Sequence, residues 1–103
     1  MTFEDIIIPG EIVIVNGEKA EKDIFVFALS TCQWCRKGKQ WLSDNNYGYK
    51  FVDVDLLPIE EKRNLKKQLM EFFDATIRYP FIVVDGKDFY AGYNPENWVP
   101  LLE

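Results

Sequence analysis

The sequence contains no histidine and only two cysteines among its 103 residues, and both cysteines lie in one short stretch. These shortages remove several classes of protein. A zinc site of about four ligands cannot come from one copy of such a chain. Nor can the two cysteines form the disulfide framework of a small secreted domain, because a bridge across four residues closes almost no loop. Positive charge is also scarce: 12 Lys and Arg stand against 17 Asp and Glu, for a formal net charge of −5. Affinity for nucleic acid comes mainly from neutralising phosphates, so no nucleic-acid partner is expected. Long apolar runs are missing too, and no segment is expected to span or enter a membrane. The opening "MTFEDIIIPGE" has no basic stretch followed by a long apolar one. No signal peptide is therefore expected, and the expected compartment is the cytoplasm, where thiols stay mostly reduced.

What is present is bulk for a core. Apolar residues make up 48%, and eight Phe, five Tyr and three Trp can fill the interior of one domain without covalent staples. Ile6–Ile8 and Ile12–Val15 are β-branched runs separated by Pro-Gly and closed by Asn-Gly, which predicts a strand or small hairpin at a sheet edge. "DIFVFALS" (23–30) is a continuous apolar run, the pattern of a strand buried on both faces. A helix follows, with Ser30 or Thr31 as its expected cap and an apolar stripe of Trp34, Gly38, Trp41 and Leu42. Gly38 on that stripe implies close approach to the sheet. "YKFVDVDL" (49–56) alternates like a strand, and Pro58 opens a second helix to about Phe73, with Ile59, Leu65, Leu69, Phe72 and Phe73 facing inward. "PFIVVDGKDFYAG" (80–92) reads as a hairpin turning at Asp85-Gly86, and Asn94-Pro95 starts a short terminal helix. The order β-α-β-α-β-β-α, preceded by the N-terminal strand or hairpin (1–22), predicts an α/β fold: a small mixed β-sheet with helices on both faces.

The chemistry lies in "STCQWCRK". Cys32 stands where a buried strand gives way to a helix, beside unsatisfied N–H groups and the positive end of the helix dipole. Thiols so placed, or in C-x-x-C pairs, have a pKa lowered from ~8.5 into the range of about 3.5–7.5. Cys35 follows one turn later on the same side, less exposed. The spacing supports a thiol–disulfide exchange in which Cys32 attacks a substrate disulfide and Cys35 resolves the mixed disulfide. Arg36, Lys37 and Lys39 add local positive charge that favours the thiolate. Two other readings stay open: a zinc or iron–sulfur carrier using the cysteines in a dimer, and a non-catalytic adaptor that binds partners through exposed aromatics.

These residues resemble the glutaredoxin branch of the thioredoxin superfamily over roughly residues 23–103. "LSTCQWCRKGKQWL" is similar to the family's C-P-Y-C helix, "YPF" (79–81) to its T-V-P turn, and "YAGYNPENW" (90–98) to its Gly-Gly segment. The resemblance implies a thioredoxin-like fold and a cis peptide before Pro80. It also implies that the main chain of Tyr79 pairs with a substrate peptide or with glutathione beside the active cysteines. Trp34, Tyr79, Pro80, Gly92 and Tyr93 are then the candidate substrate-binding residues, with Arg36 and Lys37 tuning the thiol. The sequence departs from the family in several places. Gln33 replaces the proline between the cysteines, Leu29 replaces a basic residue that contacts glutathione's carboxylate, and Tyr93 replaces the second glycine. These departures favour recharging by a thioredoxin-type reductase over glutathione. The buried strand has no carboxylate, so proton transfer at Cys35 is expected through Lys37 or water. The expected protein is a monomeric dithiol–disulfide oxidoreductase acting on disulfides of proteins or small molecules. It needs no bound cofactor and no metal, with glutathione as a candidate co-substrate.

Overall fold

The computed structural model describes residues 2–103. An edge strand, β1 (Val13–Val15), leads to β2 (Ile24–Ala28), helix α1 (Gln33–Asp44) and β3 (Tyr49–Asp53). Helix α2 (Ile59–Phe73), the hairpin of β4 (Phe81–Val84) and β5 (Asp88–Ala91), and helix α3 (Pro95–Leu102) complete the chain. The five strands form one mixed sheet in the order β1-β3-β2-β4-β5. β2 runs parallel to β3 and antiparallel to β4, and β1 lies antiparallel on the far side of β3.

All five residues of β2 are buried, as their unbroken apolar run requires of a central strand. Side chains alternate between the faces of a sheet, and β2 divides accordingly. Phe25 and Phe27 pack with Leu65, Leu69 and Phe73 of α2 on one face. Ile24, Val26 and Ala28 pack with Leu42 of α1 and with Trp98 and Leu102 of α3 on the other. The expected arrangement of helices on both faces is therefore present, with α2 alone on one side.

The N-terminal segment departs from a hairpin. Val13–Val15 forms the edge strand, but Ile6–Ile8 does not pair with it. Residues Phe3–Asp5 make a 3-10 turn, closed by the Thr2 N–H donating to Asp5 Oδ2 at 2.8 Å. Ile6 is then buried in the α2-side core, and the Ile7 N–H donates to Gln68 Oε1 of α2 at 3.3 Å. The Phe3 ring reaches into the same core, 6.0–6.3 Å from the rings of Phe25, Phe27, Phe72 and Phe73. The first apolar run is thus a strap along α2 rather than a strand.

Two further boundaries moved. β3 stops at Asp53 because Val54–Leu56 turns into a 3-10 segment. Ile59 is 56% exposed, since it stands at the first position of α2, beyond the edge of the apolar face. The hairpin turn is as expected: Asp85 (φ 54) and Gly86 (φ 67) both take left-handed backbone, and the Lys87 N–H donates to the Val84 carbonyl at 3.1 Å. Asn94 caps α3 by accepting from the Asn97 N–H at 3.3 Å, with Pro95 at the first position.

Candidate active site

The site forms where β2 ends and α1 begins. The residue that caps α1 is Cys32 itself, not Ser30 or Thr31: its Sγ accepts the Cys35 N–H at 3.2 Å while its backbone stays extended at φ −86, ψ 120. For Ser30 the reason lies downstream. Asp55, in the 3-10 turn after β3, takes both the Ser30 N–H, at 2.8 Å, and the Ser30 hydroxyl. Burial works against ionisation of Asp55. The Ser30 hydroxyl and N–H, with the Lys62 charge, outweigh it and hold the carboxyl below its ordinary range. Ser30 is therefore committed to the loop, and the side chain that stands at the N-cap position of α1 is a sulfur. An N-cap side chain sits at the mouth of the helix, where free N–H groups accommodate negative charge.

The two sulfurs have different surroundings. Both cysteines are free thiols; Cys32 is partly exposed and Cys35 is 0% exposed. Burial, and then the Cys32 thiol beside it, push the Cys35 thiol up to about 12. The Leu29 N–H, which donates to Cys35 Sγ at 3.4 Å, and the Lys39 charge pull weakly the other way. At neutral pH Cys35 is a sheltered, protonated thiol with a reachable sulfur next to it.

The other candidate residues surround this pair. The Tyr79–Pro80 peptide is cis, as the resemblance implied. Pro80 is buried, and its carbonyl accepts the Gly92 N–H at 2.8 Å, which joins the start of β4 to the end of β5. The Tyr79 phenol is raised by burial and then by the charge of Cys35, so its ring and that sulfur share one environment. Among the described residues, neither the N–H nor the carbonyl of Tyr79 has a hydrogen-bond partner. Trp34, 55% exposed, stacks on Tyr93 with centroids 6.2 Å apart. Tyr93 in turn meets the buried Trp98 edge-on at 5.5 Å. Gly92 takes φ 108, and its carbonyl accepts the Trp98 indole N–H at 3.0 Å. Arg36 and Lys37 are both exposed on α1, and the Lys37 ammonium lies over the Trp34 ring, 4.6 Å from its centroid. The basic side chain of this helix that faces the sheet is Lys39, paired with Asp53 Oδ1 at 3.2 Å.

Sequence reasoning missed Trp98 and Asp55. Gly38 carried a signal for the first, because its place on the apolar stripe required a close neighbour. That neighbour is not the sheet: a Cβ at position 38 would lie 2.8 Å from Trp98 Cη2 and 3.4 Å from Pro80 Cγ. Nothing local pointed to Asp55. Among the described residues, no three His, Cys, Asp or Glu side chains converge on a point that could hold a metal ion.

A strand–turn–helix that presents C-x-x-C beside a cis-proline is a recognisable constellation, and known proteins share it. Residues 24–89 match the glutaredoxin family model. The chain belongs to the glutaredoxin family. Over 82 residues it is 32% identical to a glutaredoxin-like 8.6 kDa protein in the rubredoxin operon of Clostridium pasteurianum, covering 78% of this chain and 97% of that protein. Methanoredoxin from Methanosarcina acetivorans superposes with a TM-score of 0.68 at 31% identity, over 81% of this chain and 86% of that one. The glutaredoxin of Methanosarcina mazei superposes with a TM-score of 0.75 at 22% identity, over 90% and 88%, a likeness of fold. Membership of the glutaredoxin family gives this protein a thiol redox function. Among the described residues, no helix is long and apolar enough to cross a membrane.

Proposed function

We propose that this glutaredoxin-family protein is a dithiol–disulfide oxidoreductase that reduces disulfides of polypeptide or small-molecule substrates. The observation that carries the reading is the asymmetry of the two sulfurs: Cys32 caps the helix within reach of solvent, while Cys35 is fully buried beside it. Cys32 as thiolate attacks one sulfur of the substrate disulfide, forming a mixed disulfide and releasing the other sulfur as a thiolate. Cys35 then loses its proton and attacks Cys32 Sγ. The Cys32–Cys35 disulfide forms, and the second substrate sulfur leaves with the electron pair of the broken bond. The substrate gains two electrons, and the protein is left oxidised for an external donor to reduce.

Two features support a polypeptide as substrate. The unpartnered N–H and carbonyl of Tyr79 suit a strand added alongside. The stacked Trp34 and Tyr93 offer an apolar shelf for a flanking side chain. Leu29 and Tyr93 stand where the family presents groups to glutathione, which favours a thioredoxin-type reductase as the electron source. The test is reduction of the oxidised protein by glutathione with its reductase against NADPH with thioredoxin reductase. The second system is expected to be faster, and a protein reduced by neither would remove the oxidoreductase reading.

A further inference from the structure

The resolving step asks a buried sulfur to become an anion, and this rests on the dithiol reading above. The ionisable groups around Cys35 are Cys32, which accepts its N–H, Tyr79, which packs against the same core, and Lys39, one turn further along α1 and paired with Asp53 of β3. Lys39 is the only cation among them. Its ammonium cannot drift freely to solvent, because Asp53 Oδ1 holds it at 3.2 Å and the Phe51 ring lies 3.7 Å beneath it. The two side chains of this pair are only 19% and 21% exposed, against 36% and 61% for the Lys50–Asp23 pair. The anchor is also well placed. Asp53 lies opposite Ala28 in the β2–β3 register, and the residue after Ala28 is Leu29, whose N–H donates to Cys35 Sγ.

We propose that Lys39, fixed by Asp53 and the face of Phe51, is the positioning residue that supplies positive charge to Cys35 as it becomes the attacking thiolate. Lys39 stays protonated throughout. The Cys35 proton passes to solvent, the Cys35–Cys32 bond forms, and the bond from Cys32 to the substrate sulfur breaks. That sulfur departs as a thiolate and takes up a proton from water. Lys37, exposed over Trp34, has no part in this step.

The alternative is that Lys39 and Asp53 simply fasten the helix to the sheet, and kinetics separate the two. The full chain is mixed in single-turnover mode with an aryl disulfide whose thiolate is coloured. The first equivalent released reports attack by Cys32, and the second reports resolution by Cys35. A nearby opposite charge favours an ionised group, and Asp53 at 3.2 Å offsets part of the lysine's charge. Lys39→Gln is therefore expected to move the pH midpoint of the second release up by about half a unit. At neutral pH it slows that release about threefold relative to the first. Lys39→Arg is expected to restore the wild-type profile. A midpoint that stays in place, or equal slowing of both releases at every pH, would overturn the assignment. Should Lys39→Gln fail to fold, Lys39→Met with Asp53→Asn replaces the pair by neutral groups and is read by the same criteria. A wild-type protein that releases one equivalent only would overturn the dithiol reading, and this assignment with it.

Discussion

Replacing Gly38 by alanine sets two known effects against each other at the back of the active site. In an open helix the change stabilises by about 1 kcal/mol, because glycine loses more backbone freedom on folding. Here the new methyl would meet Trp98 Cη2 at 2.8 Å and Pro80 Cγ at 3.4 Å. Comfortable carbon–carbon separations are ~3.5–4.0 Å, so one neighbour must move. The indole has little freedom to do so. It is fully buried, its N–H is held by the Gly92 carbonyl at 3.0 Å, and its ring is wedged against Trp41 at 5.9 Å and Tyr93 at 5.5 Å. Overpacking of a rigid site costs about 1–3 kcal/mol, and the pinned ring puts this case toward the upper end. The expected net result is destabilisation by about 1–2 kcal/mol after subtracting the helical gain. For a domain of this size, ~1 kcal/mol corresponds to a fall in Tm of about 4–8 °C. Urea unfolding followed by circular dichroism measures the difference, and tryptophan fluorescence reports whether the Trp98 environment has shifted. A variant more stable than wild type by about 1 kcal/mol would refute the packing argument, since only open space around position 38 yields that sign.

Three further outcomes follow from the site. Since the Cys35 thiol is pushed up to about 12, iodoacetamide at neutral pH is expected to modify Cys32 alone, as read by peptide mass spectrometry. Labelling of Cys35 should climb about tenfold per pH unit towards that value, and equal labelling of both at pH ~7 would contradict its burial. Cys32→Ser is expected to abolish disulfide reduction while leaving the unfolding midpoint equal or higher, because serine is a favoured helix cap; surviving turnover would reassign the nucleophile. Asp55→Ala is expected to release the Ser30 loop and cost about 1–2 kcal/mol, from two lost hydrogen bonds to a partly exposed carboxylate. The carboxyl of Asp55 is held below its ordinary value of 3.8, so its contribution is present above that pH and is lost as pH falls through the folded value. The stability gap between wild type and Asp55→Ala should accordingly close in acid, and a gap constant with pH would show that the carboxylate charge is not involved.

The parts of this molecule that were legible in its sequence are those fixed by neighbours along the chain. Five apolar residues in a row, Ile24–Ala28, have no place except the centre of a sheet, and Asp85-Gly86 between two β-branched or aromatic runs can only turn back on itself. The C-x-x-C pair announced its chemistry for the same reason, with both sulfurs on one turn of one helix. What stayed hidden was decided by partners distant in sequence. Ile6–Ile8 is as β-branched as any strand, yet its backbone goes to Gln68, 61 residues from the Ile7 N–H it accepts. Ser30 is a better cap than cysteine by composition alone, but a carboxylate 25 residues further on claims it. Gly38 signalled tight packing correctly without revealing that Trp98, rather than a strand, supplied the contact.

One sulfur, that of Cys32, opens the helix by accepting its N–H and also meets the incoming substrate. Oxygen-bearing residues do the first task better and cannot do the second at all. Selection for a sturdier scaffold and selection for turnover therefore pull this position in opposite directions. Any evolutionary route to greater heat resistance in this fold has to go around it, and a lineage that took the easy substitution would keep a well-formed but inert protein.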